Sequence, residues 1–312
     1  MFAGKKAAIA IGLIALPLAV AIFDLSFWLT LLLVLALLAW SWFDQLSGVF
    51  RRGGGPALVL DTISMSHFAE KARWCMDRLG VDYRENKSNG LLGVILTGRT
   101  VPRLRLRTGA VESSIGHSPE ILRFLWGEYG ARLETAAFLE PTEETLELEA
   151  KIDRYGVDLQ VWVYYHLLPH KDTTLHIWGA KDAGIPTWQR TVARPLYPLL
   201  AKFLRRTFGI DGAHYNKAVE HVDAMLAAAE ERLTDADQYL LGEAISYVDI
   251  TFAALSGLWL QPDNYGGGQA DECKVAIDKL PEAMQADRDR WREKFPVATA
   301  FIERLYAEER YT

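Results

Sequence analysis

The sequence contains little cysteine. Cys75 and Cys273 are the only two cysteines among its 312 residues, and their spacing fits neither a CxxC pair nor a zinc-ligand pattern. A disulfide framework and a metal site are therefore not expected, and a reducing compartment is favoured. The chain also lacks an excess of positive charge, because its formal net charge is −6. We expect no nucleic-acid partner, since phosphate contacts require a basic surface.

Ionisable residues are nearly absent from residues 7–43, where Asp24 is the only one. It separates two apolar segments, 7–23 and 25–43, and each is near the roughly 20 residues that a bilayer-crossing helix needs. A single helix over the whole run would be about 55 Å long, well beyond an apolar bilayer core of about 30 Å. The composition therefore predicts a hydrophobic hairpin within residues 1–50 that crosses the lipid bilayer twice.

Basic residues flank this apolar run on both sides, with Lys5 and Lys6 before it and Arg51 and Arg52 after it. The positive-inside rule then predicts a membrane protein whose soluble domains face the cytoplasm. Two alternatives remain open. The first segment could be a signal peptide, since "LPLAVA" offers small residues for cleavage. One tilted span with an interfacial helix would instead place the soluble domains on the other side.

The residues after the apolar run divide into three parts. Residues 51–56, "RRGGGP", are typical of a flexible linker. Residues 57–130 predict a strand, an amphipathic helix ending at Gly80, a second strand, and later a hairpin followed by a helix. Strand signals stop after Pro141, so residues 131–312 predict an all-helical domain.

Four motifs in this order resemble the cytosolic glutathione transferases. They are Ser-x-Phe-x-x-Lys-x-Arg from Ser66, "TVPRL" from Thr100, "HSPEILRFL" from His117 and "YLLGEAISYVDITFAAL" at 239–255. The resemblance covers residues 57–312. It implies an α/β thioredoxin-like domain followed by an all-α glutathione-transferase C-terminal domain, here preceded by the membrane hairpin.

The resemblance implies a catalytic role for Ser66. In the family, the residue at this position donates a hydrogen bond to the glutathione sulfur and so favours the nucleophilic thiolate. A different interpretation follows from the local sequence alone. Ser66 stands where a strand gives way to a helix, and serine is a favoured helix N-cap. Both interpretations stay open here.

Four further residues are implied to bind glutathione as a co-substrate. A cis peptide bond before Pro102 would leave the backbone of Val101 free to pair with a peptide-like ligand. Ser118 opens a helix with proline at its first turn, and the family holds the γ-glutamyl carboxylate of glutathione at this position. His117 is a departure, because the family usually has glutamate or aspartate there to contact the glutathione amino group.

The aromatic stretch "DRYGVDLQVWVYYHLLP" coincides with the family's hydrophobic substrate pocket. Tyr155 and Trp162 share a helix face and are the predicted pocket residues, although aromatic residues in such a helix often belong to the core.

The predicted function is a membrane-anchored glutathione S-transferase acting on apolar electrophiles. Its predicted partners are glutathione, an apolar small molecule and the lipid bilayer at residues 7–43, and a homodimer is also allowed. The alternative is a non-catalytic adaptor with the same fold at a membrane, which His117 favours.

Overall fold

The computed structural model describes residues 28–29, 31–36, 38–39, 42, 57–92, 101–108, 111–233 and 238–310. The predicted segment 7–23 and the linker 51–56 lie outside these residues. Segment 25–43 is described only in part, as helix. Within the described ranges, no helix combines the length and the apolar character that a membrane crossing requires. The two-span hairpin therefore stays a prediction.

A four-stranded mixed sheet begins the soluble region, with the strand order β2-β1-β3-β4. The strands are β1 (Ala57–Asp61), β2 (Tyr83–Asn86), β3 (Arg103–Thr108) and β4 (Val111–Gly116). β1 runs parallel to β2 and antiparallel to β3, which forms a hairpin with β4. Leu60 and Leu104 face each other across β1 and β3, and both are fully buried. These elements confirm the predicted strand, helix, strand and hairpin order.

Helices form the rest of the described fold. Two of them, α1 (His67–Leu79) and α2 (Ser118–Tyr129), pack with the sheet. The others are α3 (Glu143–Leu167), α4 (Lys171–Ile177), α5 (Thr187–Thr207), α6 (Gly212–Arg232), α7 (Tyr247–Leu260), α8 (Glu282–Lys294) and α9 (Pro296–Glu308). Short 3-10 helices lie at Lys87–Asn89, Glu134–Leu139, Asp271–Cys273 and Ile277–Lys279. Every named element after β4 in the described ranges is thus a helix, as predicted.

Helix α7 lies at the centre of the core. All of its residues are buried, so its backbone depends on internal partners at the N-terminus. The Asp249 carboxylate accepts hydrogen bonds from the backbone N–H of Ser246 at 2.8 Å and of Leu240 at 2.7 Å. Ser246 and Asp249 thus form a capping box, which concerns fold stability rather than chemistry.

Buried ion pairs join α1 to the helical half. Lys71 is fully buried and donates to Glu149 at 2.7 Å and to Asp153 at 2.9 Å, both on α3. Arg123 of α2 also pairs with Glu149 and donates to the Tyr247 hydroxyl at 3.2 Å. These contacts fix α1 and α2 against α3, and the cavity described below lies between the same helices.

Residues after α9 pack back onto α1. Arg310 is 2% exposed, and its guanidinium donates to Glu70 at 2.8 Å and to Asp77 at 2.9 Å. The backbone oxygen of Glu309 accepts a hydrogen bond from the Trp74 indole at 3.2 Å. A charge buried this deeply requires its partner, because an unpaired charge in the interior is costly.

A second, smaller hydrophobic cluster lies apart from the main core. It is built from the end of α3, from α4 and from α5, and it includes Leu168, Leu175, Tyr197 and Leu200. Because α4 and α5 pack here rather than in the main core, a space remains between them and the sheet domain.

Candidate functional site

A cavity of about 760 Å³ occupies this space. Its lining comes from the starts of α1 and α2, from α3, α4 and α5, and from the segment before β3. Pockets of 300 to 1,000 Å³ with a mostly apolar lining and a few polar groups are typical of small-molecule sites. Five of the predicted site residues line this cavity, namely Ser66, Val101, Pro102, His117 and Ser118.

Ser66 lines the cavity at the N-terminus of α1. Its Oγ accepts a hydrogen bond from the backbone N–H of Ala69 at 3.2 Å, so Ser66 is the N-cap of the helix. A hydroxyl that accepts through a lone pair still has its O–H hydrogen to donate. Capping the helix and donating to a ligand are therefore compatible roles.

His67 also lines the cavity, although no sequence motif predicted it as a site residue. Its Nε2 lies 2.8 Å from the backbone oxygen of Gly156, and since a carbonyl can only accept, Nε2 carries the hydrogen. Burial lowers the pKa of His67 from 6.5 to about 4, although the hydrogen bond to Gly156 acts in the opposite direction. The ring is therefore neutral at pH 7, with Nδ1 unprotonated.

The peptide bond between Val101 and Pro102 is cis, as predicted. Both residues lie directly before β3 and line the cavity beside α1 and α2.

Helix α2 begins at the cavity with Ser118. His117, the residue before it, has a φ of +64 and makes no side-chain cap hydrogen bond. The Ser118 hydroxyl is buried and has no hydrogen-bond partner among the described residues. First-turn N–H groups of a helix carry partial positive charge and lack partners within the helix. This end of α2 can therefore accept an anionic ligand group, which would also satisfy Ser118.

Two carboxylates also line the cavity. Glu120, in the first turn of α2, is exposed, and Asp153 of α3 is partly buried beside Lys71. Burial raises the pKa of Asp153, with Lys71 opposing that rise. Both side chains can accept hydrogen bonds from a cationic ligand group, which is the role that His117 does not supply.

The remaining lining is apolar and aromatic. The ring of Tyr164 on α3 lies 5.5 Å from that of Phe208 in a tilted arrangement and 6.5 Å from that of Trp178 in an edge-to-face arrangement. Phe68 and Phe203 contribute two further aromatic rings. These rings come from α1, α3, α5 and the segments after α4 and α5, so the cavity is suited to an apolar or aromatic ligand.

Tyr155 and Trp162 do not line this cavity, which corrects their assignment to its surface. Tyr155 is buried in the core, where its hydroxyl lies 2.8 Å from Ser256 Oγ and accepts from the Trp259 indole at 2.9 Å. Trp162 is also buried, and it donates to Asp287 at 2.9 Å. The predicted helix does border the cavity, but through its opposite face.

That face of α3 carries the actual lining residues. They are Asp153, Val157, Gln160, Val163, Tyr164 and Leu167. Their spacing of three or four residues places them on one side of a helix of 3.6 residues per turn, away from Tyr155 and Trp162. The apolar residues of α5 at Leu200, Phe203 and Leu204 have the same spacing. That pattern was the available sequence signal for the α5 part of the cavity.

The cysteines lie away from the cavity lining. Cys75 and Cys273 are both buried, and burial raises the pKa of Cys75 to about 12 and that of Cys273 to about 11. Both thiols are therefore protonated at neutral pH, and neither is a nucleophile there.

Comparison with known proteins identifies one part of the chain. Residues 212–304 match the family model of the glutathione S-transferase C-terminal domain. No curated protein matches the chain. The matched residues lie within the helical half, which follows a small mixed sheet.

Solved structures with low sequence identity are also similar. One is a glutathione S-transferase from Methylobacterium radiotolerans in complex with glutathione sulfonate, with 15% identity, 82% of this chain and 92% of that chain covered, and a TM-score of 0.46. Another is a beta-etherase from Sphingobium, with 16% identity, coverage of 82% and 97%, and a TM-score of 0.44. A third is a maleylacetoacetate isomerase from Anaeromyxobacter dehalogenans with bound dicarboxyethyl glutathione and citrate, with 13% identity, coverage of 83% and 94%, and a TM-score of 0.43.

Proposed function

We propose that this chain, whose residues 212–304 match the glutathione S-transferase C-terminal domain, binds glutathione in the cavity and transfers it to apolar electrophiles. The observation that carries the proposal is the Ser118 hydroxyl, which is buried without a partner at the N-terminus of α2. A buried polar group without a partner costs about 1 to 3 kcal/mol. A ligand carboxylate would remove that cost and would also interact with the positive end of the helix.

The other polar lining residues fit the rest of the tripeptide. The backbone of Val101 can pair with the glutathione backbone, as in β-strand addition. Glu120 and Asp153 supply acceptors for the ammonium group in place of His117. The γ-glutamyl end of glutathione therefore lies at α2, and its cysteine lies toward Ser66.

Ser66 would then act on the glutathione thiol. When the thiol loses its proton to solvent, the Ser66 O–H donates a hydrogen bond to the resulting thiolate and lowers the thiol pKa. The thiolate attacks an electrophilic carbon, a C–S bond forms, and the displaced electron pair leaves with the leaving group or moves into an acceptor group of the substrate. Ser66 keeps its own proton throughout, while Phe68, Tyr164 and Trp178 contact the apolar substrate.

Alanine variants of the two serines should separate binding from thiol activation. We expect Ser118→Ala to weaken glutathione binding by about 1 to 3 kcal/mol, which is about 5- to 150-fold, because one partner of a charged hydrogen bond is lost. We expect Ser66→Ala to bind nearly normally but to raise the bound thiol pKa and to lower turnover about tenfold or more, since one pKa unit is about 1.4 kcal/mol. The measurements are calorimetric titration of the full-length protein in detergent and the pH profile of thiolate absorbance.

Loss of the α1 cap is a separate effect of Ser66→Ala, and it costs about 0.5 to 2 kcal/mol of stability. Ser66→Thr is the matched control, because threonine retains both the cap and the donor. If Ser66→Ala lowers the melting temperature without changing the thiol pKa or the turnover, Ser66 is a cap only. If wild-type protein shows no binding at millimolar glutathione, the transferase proposal fails and the adaptor alternative replaces it.

We also infer a membrane location, with residues 7–23 and 25–43 crossing the bilayer and the soluble domains in the cytoplasm. The support is the near absence of charge in this run and the basic pairs that flank it. In sealed vesicles of known orientation, protease on the cytoplasmic side should digest residues 57–312. Digestion from the opposite side alone would contradict this topology.

A further inference from the structure

Helix α5 exposes a stripe of large apolar side chains. Its members are Trp188, Val192, Leu196, Leu199 and Phe203. Their spacing of three and four residues places them on one helix face. Leu199 is 66% exposed, Trp188 49% and Phe203 47%. The buried face of α5, with Ala193, Tyr197 and Leu200, packs into the second hydrophobic cluster. The exposed stripe lies on a different face of the helix and does not belong to this cluster.

The charges on α5 have one sign. The helix carries five cations and no acidic residue, in a chain whose net charge is −6. The cations are Arg190, Arg194, Lys202, Arg205 and Arg206. Arg194 pairs with Asp172 at 2.9 Å, and the other four have no acidic partner among the described residues. By helical spacing, Lys202 and Arg206 border the stripe.

We infer that the α5 stripe lies on an anionic lipid surface, with Lys202 and Arg206 against the headgroups. A helix with an apolar face and only basic charges is typical of interfacial membrane binding. Anionic lipids attract each basic residue near the surface.

A second copy of the chain fits this face less well. In a two-fold dimer the same surface meets itself, so α5 would face another α5. That arrangement would place Lys202 and Arg206 of both copies in one interface, with no acidic residue on either helix. Like charges at an interface oppose association, whereas an anionic bilayer both neutralises them and buries the stripe.

The stripe also borders the cavity. Phe203 belongs to the stripe and to the cavity lining, and Leu204 and Thr207 of the same helix line the cavity as well. With the stripe on the bilayer, this side of the cavity faces the membrane, into which apolar molecules partition. The inference concerns the orientation of α5 and holds whether or not the cavity binds glutathione.

A fluorescent label on Leu199→Cys tests the contact. The native cysteines are both fully buried, so a maleimide dye in native buffer reacts with the introduced one. The full-length protein is reconstituted in vesicles of phosphatidylcholine with or without phosphatidylserine. We expect the label to shift to shorter wavelength and to lose about fivefold or more of its quenching by iodide when phosphatidylserine is present. A label on Glu231→Cys, an exposed position of α6, should remain accessible.

Charge reversal provides the second arm. Lys202→Glu with Arg206→Glu should return the Leu199→Cys label to the aqueous quenching level, because each basic residue contributes about fivefold to binding an anionic surface. The inference is overturned if the label is quenched equally in both vesicle types. It is also overturned if protection persists in detergent without lipid and rises with protein concentration, since a second copy then covers the stripe.

Discussion

Replacement of Arg310 by alanine is expected to lower the free energy of unfolding by about 3 to 5 kcal/mol. The arginine is almost completely buried, and its guanidinium binds Glu70 and Asp77 on α1. The alanine variant removes this positive charge and leaves Glu70 in the interior with Arg73 as its remaining cationic partner. The cost is large because the fully buried Glu70 carboxylate is left with one cationic partner instead of two.

The measurement is denaturant unfolding of the full-length protein in a mild detergent. Arg292→Ala is the matched control, because Arg292 forms an exposed pair with Glu303 at 2.8 Å and such pairs contribute about 0 to 1 kcal/mol. Arg310→Lys should be intermediate, since lysine keeps the charge but not the planar, forked geometry. Equal losses for Arg310→Ala and Arg292→Ala would show that the buried network does not stabilise the fold.

Acidification is the second change for which we expect a large loss of folding stability. His67 makes a defined contribution to that loss. The folded protein holds the pKa of His67 near 4, whereas the unfolded chain has the ordinary value of 6.5. Between these two values the unfolded state binds more protons, so stability rises with pH and is lost as the pH falls below 6.5. Relative to pH 7, the loss attributable to His67 is about 2 kcal/mol at pH 5 and about 3 kcal/mol at pH 4.

His67→Gln separates this contribution from other titrating groups. Glutamine can donate to the Gly156 carbonyl but does not titrate, so its unfolding free energy should fall less steeply with acid than that of the wild type. The quantity compared is the slope of the unfolding free energy against pH between pH 4 and pH 7. A pH-independent change in stability caused by the substitution does not affect this slope. Parallel slopes for the two proteins would mean that His67 is not held neutral in the fold.

Local sequence patterns predicted much of this fold. The apolar run of β1, the amphipathic spacing of α1 and the caps of that helix at Ser66 and Gly80 are encoded within a few residues. Each of these elements was predicted because its stabilising contacts join near neighbours in the chain.

Features that depend on distant residues were not predicted. The contact between Arg310 and Glu70 joins positions 240 residues apart. The sequence around either residue does not indicate which residue it pairs with. In α3, Tyr155 and Trp162 were predicted to line a pocket, but this helix has apolar environments on two sides. The amino-acid types on α3 do not show which side is the core and which is the cavity. The packing of α6, α7 and α8 against α3 decides that.

The docking of residues 309–310 on α1 has a consequence for how the chain is made. Translation proceeds from the N-terminus at about 5 to 20 residues per second. Arg310 follows its partner Asp77 by 233 residues, so a ribosome adds it about 10 to 50 seconds later. Throughout that interval Asp77 lacks Arg310, and Glu70 has Arg73 but not Arg310 as a partner. The sheet domain is therefore synthesised before the helical domain but reaches its final state among the last parts of the molecule.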